Sequence, residues 1–297
     1  MHGDAIDLSS DEIDRLTPSR DLSRRGFIAT AVGSGFAAAV LPVAAQTIST
    51  SSDGLTTGEV TIPVGDFKMP AYRAMPAGKT GLPVVLVVSE IFGVHEHIAD
   101  VARRFAHLGY LAVAPELFVR QGDAQSYGEI ARLMSEVIAK VPDAQVMGDL
   151  DACVAWAGAN GGDTKRLGIT GFCWGGRIVW LYAAHSALPK AGVAWYGRLV
   201  GTSSALQPKH PIDLAAGLQA PVLGLYGGAD AGIPLESVEK MKAALAAGSK
   251  AARQSEFVVF PDAPHAFHAD YRPSFRQAAA EEGWKRCIAW FKTHGVA

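Results

Sequence analysis

The residues best suited to chemistry lie in the stretch Gly171-Phe172-Cys173-Trp174-Gly175-Gly176. A lone thiol sits between glycines where an apolar run, Arg166 to Thr170, gives way to a helical pattern. That arrangement suits a nucleophile held on a sharp strand-to-helix turn. Glycines two before and two after it let the strand and helix backbones approach where a Cβ would collide. The thiol then stands at the helix N-terminus, whose positive dipole end favours the attacking thiolate. A nucleophile of this kind needs a histidine to take and return its proton, and an acid to orient that histidine. Asp230, in "LYGGADAGIP", and His265, in "VVFPDAPHAFH", follow in the chain order such a site requires. The bland readings are an inert buried cysteine, a turn-forming aspartate and a loop histidine; the glycine frame and the shared order weigh against all three together. Cys153 and Cys287 lack such a frame and read as core residues.

These side chains need elements that present them on one side. "LPVVLVVSE" (82–90) is a continuous β-branched run, the mark of a strand buried on both faces. "YLAVAPEL", "RLGIT", "AGVAWYG", "PVLGLYGG" and "SEFVVF" read as further strands. Helical patterns fall at about 98–108, 124–140, 143–158, 175–187, 235–249 and 274–293, and residues 59–77 read as a hairpin around Gly65-Asp66. Strands alternating with helices predict a mainly parallel sheet with helices on both faces. Ligands bind such sheets at the carboxyl ends of the strands, and Cys173, Asp230 and His265 each follow a strand. The oxyanion of a tetrahedral intermediate would be met by the N–H of Trp174 and by a second N–H, that of Ile91, in the loop "SEIFGVHEHI". Glu90 directly follows an apolar strand, an odd place for a carboxylate unless it has a task or a partner.

The bulk composition narrows the class. The chain has 297 residues, a formal net charge of -2, 49% hydrophobic and 19% charged residues, which suits one large domain with a sizeable core. That charge gives no electrostatic case for nucleic acid. Three cysteines without a C-x-x-C pair are neither a disulfide framework nor a zinc ribbon. Near the N-terminus, Ser23-Arg24-Arg25-Gly26-Phe27-Ile28 precedes a mildly apolar, Ala- and Gly-rich stretch ending in Val43-Ala44-Ala45. Residues 1–45 therefore resemble a twin-arginine export signal cleaved before Gln46, with delivery to the periplasm expected and an uncleaved anchor as the other reading. The polar run 46–58 reads as a linker, and 59–297 as the folded domain.

The stretches "SEIFGVHEHI", "APELF", "GFCWGGR", "GGADAGIP" and "APHAFH" together resemble the dienelactone hydrolase family of α/β-hydrolases, over about 59–293. The resemblance implies an α/β-hydrolase fold without a lid domain. It also implies a Cys173–His265–Asp230 triad that cleaves a small ester or lactone, such as a carboxymethylenebutenolide, through a thioester and without a cofactor. It further implies that Glu90 contacts the resting thiol and helps form the thiolate. Family members read H-S-F-A-R after the histidine, and that arginine holds a substrate carboxylate. Here Ala269 stands at its place, with Arg272 nearby on another register, while Arg132 or Arg120 could match a second anion-binding arginine. Phe92 and Trp174 are further substrate-contact candidates, and Trp174 replaces a smaller aliphatic residue.

Other readings compete. His95, His97, His265 and His268 have metal-ligand chemistry, but a metal would consume the triad base, so no metal is expected. A non-catalytic exported binding protein on the same fold is the alternative function. The expected partners are a small ester or lactone and the twin-arginine export machinery, with no nucleic acid and no stable membrane span after cleavage.

Overall fold

The computed structural model describes residues 47–297; the proposed export signal over 1–45 lies outside the described residues. The strands are β1 (Leu55–Val64), β2 (Phe67–Pro76), β3 (Leu82–Val88), β4 (Leu111–Pro115), β5 (Gly162–Phe172), β6 (Ala191–Trp195), β7 (Val222–Gly227) and β8 (Glu256–Phe260). They form one eight-stranded sheet in the order β1-β2-β4-β3-β5-β6-β7-β8. From β4 to β8 every pairing is parallel, while β1 and β2 add an antiparallel hairpin that joins β4 through β2. This is the mainly parallel sheet of an α/β-hydrolase fold. Its centre is dry: Val84 to Val88 are all 0% exposed. Burial on both faces is why β3 carries no alternation of polar residues.

The helices are α1 (Glu96–His107), α2 (Ile130–Glu136), α3 (Asp143–Ala159), α4 (Trp174–His185), α5 (Pro211–Leu214), α6 (Leu235–Ala246), α7 (Lys250–Gln254) and α8 (Gln277–Thr293). The helix expected over 124–140 is instead broken. A 3₁₀ turn at Ala124–Ser126, α2, and a second 3₁₀ turn at Ile138–Lys140 divide it. Tyr127, in extended backbone, and Gly128, at a bend, interrupt the apolar pattern. The helix expected over 235–249 likewise ends at Ala246 and resumes as α7 behind Ser249, whose hydroxyl accepts from the Ala252 N–H. α4, which carries the glycine frame, is fixed to α3 by a buried pair in which Arg177 donates to both oxygens of Asp143 at 2.7 and 2.8 Å. No described helix is long and apolar enough to cross a membrane.

The linker reading of 46–58 needs correction. β1 already begins at Leu55, and the residues before it dock on α1. The Thr50 N–H and hydroxyl donate to Asp100, Arg103 Nε donates to the Thr50 carbonyl at 2.9 Å, and the His107 ring meets the Ser51 carbonyl at 2.8 Å. A polar Ser/Thr run looks like a linker in sequence, yet its backbone groups are satisfied by charged side chains of a helix remote in the chain.

Candidate active site

The elbow is built by close backbone contact. A Cβ at Gly171 would stand 2.3 Å from the Gly175 carbonyl oxygen, one at Gly175 would stand 2.4 Å from that of Val88, and one at Gly176 would stand 2.5 Å from that of Trp195. β5 and α4 can therefore meet, and α4 can seat on β3 and β6, only without side chains at these points. The turn residue itself is Cys173, with φ 53° and ψ -113°. A non-glycine residue held there stores roughly 1–3 kcal/mol of strain, tolerated because the surroundings over-determine the turn. The Cys173 N–H donates to the Trp195 carbonyl at 3.0 Å and its own carbonyl accepts from the Arg177 N–H at 3.2 Å.

The acid and base arrive on two loops that interlock. A Cβ at Gly227 would stand 2.2 Å from the Ala263 carbonyl oxygen, and one at Gly228 2.5 Å from that of Pro261. The two glycines therefore bring the loop after β7 against the loop after β8. The Gly228 and Ala229 N–H groups then donate to the Phe260 and Ala263 carbonyls at 2.7 and 3.0 Å. Across this junction His265 Nδ1 meets Asp230 Oδ2 at 2.7 Å, and with the carboxylate accepting, Nδ1 carries the proton. The other Asp230 oxygen accepts from the Gly232 N–H at 3.0 Å. Both residues are buried. Burial works against charge on His265, but the fields of Cys173 and Asp230 and hydrogen bonds to both hold its pKa well above the ordinary histidine value. His265 is thus bonded to Asp230 on one side and lies within the field of Cys173.

The expected oxyanion donors also fall where strands end. Ile91 and Trp174 are buried, and among the described hydrogen bonds neither backbone N–H donates to a protein acceptor. The Trp174 indole packs against Phe118 with ring centroids 4.7 Å apart, which locks the first turn of α4.

Glu90 is buried, but its contact differs from the one expected. Its Oε2 meets His95 Nε2 at 3.1 Å, and among the described residues its Oε1 is buried without a partner. A five-residue turn returns His95 onto the carboxylate. Burial pushes the Glu90 pKa up, but the hydrogen bond from His95 and the fields of His95 and His97 outweigh it and hold the value at about 2.

The arginine candidates separate. Arg132 is exposed on α2 and paired with Glu136 one helical turn on, at 2.9 Å, so it is not part of the site. Arg120 is committed to Asp149 at 2.7 and 2.8 Å and lies over the Phe67 ring. Arg272 does reach the site: its guanidinium lies 4.9 Å from the Phe92 ring centroid and 5.1 Å from that of Tyr271, within the fields of Glu90 and Cys173. The four histidines have different partners, although the His97 ring lies 6.1 Å from that of His95 and 5.6 Å from that of His268. His95 meets Glu90, His97 meets Asp270 at 3.2 Å, His265 meets Asp230, and His268 packs on Phe172 and Trp195.

Tyr196 escaped the sequence reading. It follows β6, has φ 39°, is fully buried, and stands edge-on to His265 with centroids 5.2 Å apart. Among the described residues its hydroxyl has no hydrogen-bond partner. The signal that could have found Tyr196 is the one that found the triad, a polar residue directly after a buried strand.

A strained cysteine at a strand–helix elbow, with histidine and aspartate on the next strand-end loops, is the site of an α/β-hydrolase. Residues 69–295 match the dienelactone hydrolase family, and the chain belongs to it. It is 62% identical over 284 residues to a protein of Methylorubrum extorquens named "Putative carboxymethylenebutenolidase", covering 95% of this chain and 97% of that one. An Escherichia coli K12 protein of the same name is 55% identical over 269 residues, 90% of this chain and 98% of that one. The crystal structure of a dienelactone hydrolase homologue from Klebsiella pneumoniae, 56% identical, superposes with a TM-score of 0.78 over 81% of this chain and 99% of that one. The protein is accordingly a hydrolase of this family.

Proposed function

We propose that the protein cleaves a small ester or lactone, of the dienelactone or carboxymethylenebutenolide kind, with Cys173 as nucleophile. The observation that carries this reading is Cys173 on its strained strand–helix turn, with His265, bonded to Asp230 at 2.7 Å, within its field. The thiolate attacks the acyl carbon, and the carbonyl π pair moves onto oxygen, where the Ile91 and Trp174 N–H groups face it. Collapse re-forms the carbonyl and expels the alkoxide, which takes the proton held on His265 Nε2. The acyl group remains on sulfur as a thioester. Neutral His265 then takes a proton from water, the hydroxide attacks the thioester, and the thiolate leaves as the acid forms. Asp230 keeps Nδ1 protonated throughout, so Nε2 alone exchanges the proton. Glu90, ionised and tied to His95, adds negative charge beside the thiol. Arg272 is the group offered to an anionic substrate substituent, while Phe92 and Trp174 supply apolar contact.

The test is covalent. Mixing enzyme with p-nitrophenyl acetate and quenching at once should give one acetyl group on the tryptic peptide containing Cys173, with a burst of nitrophenol of equal stoichiometry. An acetyl group found only on other residues would contradict the thioester route.

We also propose that the chain is exported by the twin-arginine route, on the strength of Ser23-Arg24-Arg25-Gly26-Phe27-Ile28 and the mild apolar stretch behind it. Changing Arg24 and Arg25 both to lysine should retain the protein in the cytoplasm. The exported wild type should begin near Gln46, and undiminished export of the double variant would refute the assignment.

A further inference from the structure

The motif "APELF" has so far been given no task. Its Glu116 directly follows β4, with its N–H donating to the Pro70 carbonyl at 3.0 Å. The carboxyl group reaches the loop that carries Ile91. Oε1 accepts from the Val94 N–H at 2.8 Å, and Oε2 lies where a side chain on Gly93 would be: a Cβ there would come within 2.7 Å of it. Gly93 has φ +73°, so the bend it makes is one that a residue with a side chain resists. Two more bonds brace the same loop. Gln125 Nε2 donates to the Val94 carbonyl at 3.2 Å, and His95 closes on Glu90. Two residues beyond Glu116, Phe118 packs against Trp174. A single short segment after β4 therefore bears on both of the backbone donors assigned to the oxyanion.

We propose that Glu116 is a positioning residue for the oxyanion loop: its carboxylate clamps the Gly93–Val94 bend, sets the aim of the Ile91 N–H, and holds it fully only while ionised. This rests on the reading of Ile91 as an oxyanion donor. A bond from an N–H to a carboxylate is roughly twice as strong as one to a neutral acceptor. Protonation therefore slackens the clamp without removing it. The charged groups that act on Glu116 are Asp123, at the start of the 3₁₀ turn, and Glu59 of β1. Burial pushes its pKa up, the Val94 N–H draws it down, and Asp123 and Glu59 raise it further, to about 7. The sign for stability is opposite to that for catalysis. A carboxyl whose pKa is raised on folding contributes stability below the ordinary carboxylate range and loses it as pH rises to about 7. Alkaline conditions thus tighten the loop at some cost to the fold.

The experiment compares wild type, Glu116→Gln and Cys173→Ala with p-nitrophenyl acetate between about pH 6 and pH 8. Cys173 alkylation by iodoacetamide and thermal melting are followed in parallel. At pH 8, Glu116→Gln should lower kcat about tenfold with KM changed less than about twofold, a partial loss of one oxyanion donor. It should also lose the part of the wild-type profile that rises through about pH 7, alkylate at the wild-type rate, and melt no lower than wild type at pH 8. Wild-type kcat in Glu116→Gln, or an unchanged pH profile, overturns the proposal. So does a fall in kcat matched by an equal fall in alkylation, which would mean a disturbed elbow rather than a misaimed donor. Near-normal turnover in Cys173→Ala would instead overturn the catalytic reading itself, whatever Glu116 does.

Discussion

Cys173→Ala is expected to lower kcat/KM for a small ester by about 10³-fold or more, with the melting temperature little changed or raised. The reason is local. The thiol supplies the bond-forming electron pair, and alanine relieves none of the packing at the elbow because the glycines on either side remain. His265→Ala should cost a similar factor, because without its imidazole the thiol has no proton acceptor in line. The double variant should be scarcely worse than either single one, since groups that act as a unit do not add. Steady-state kinetics of the three variants on one substrate measure this directly. Additive losses would mean that thiol and imidazole act separately.

The second large effect concerns Asp230. Asp230→Asn should preserve the fold yet lower kcat by about 10³-fold. The asparagine amide can present its NH₂ to Nδ1, which moves the ring proton to Nε2 and turns the acceptor facing the thiol into a donor. Asp230 also helps hold the His265 pKa above its ordinary value, so its loss should lower that pKa. A histidine with a raised pKa contributes stability at pH below its unfolded value of about 6.5, lost as pH rises through the folded value. The wild type should therefore exceed Asp230→Asn in stability most clearly in acid, with the gap narrowing on the alkaline side. Melting curves at several pH values, read beside kcat, test both parts. Wild-type turnover in Asp230→Asn would remove this residue from the mechanism.

How much of this was legible in the chain depends on the kind of contact. Cys173 and Asp230 stood out because each follows a run buried on both faces, legible in "VLGLYG", while His265 follows β8, a shorter strand whose residues are only partly buried. The glycine frame was legible because backbone contact leaves a residue-type signature. Contacts made by long side chains across loops leave none. Nothing in linear spacing says that Arg272 lies over Phe92 while Arg132 turns outward to Glu136, or that His95 folds back on Glu90. The docking of Thr50 on Asp100 was hidden for the same reason, since both partners are ordinary polar residues until α1 brings them together. Helix ends in the 124–140 region were missed because Tyr127 and Gly128 interrupt the pattern and short 3₁₀ turns flank α2.

The sheet order has a consequence for when the chain becomes reactive. Cys173 lies at the end of β5, whose neighbours are β3 on one side and β6 on the other, and Val84 pairs with Leu167 far along the chain. Its carboxylate and imidazole come from loops beyond β7 and β8, later in the chain. Such long-range parallel pairing forms late. Until it does, Cys173 is an ordinary thiol on an open chain, with no base in line and no donors converging on an oxyanion. The nucleophile is thus silent until β7 and β8 are in place. It is switched on only when the loops after those strands meet the elbow.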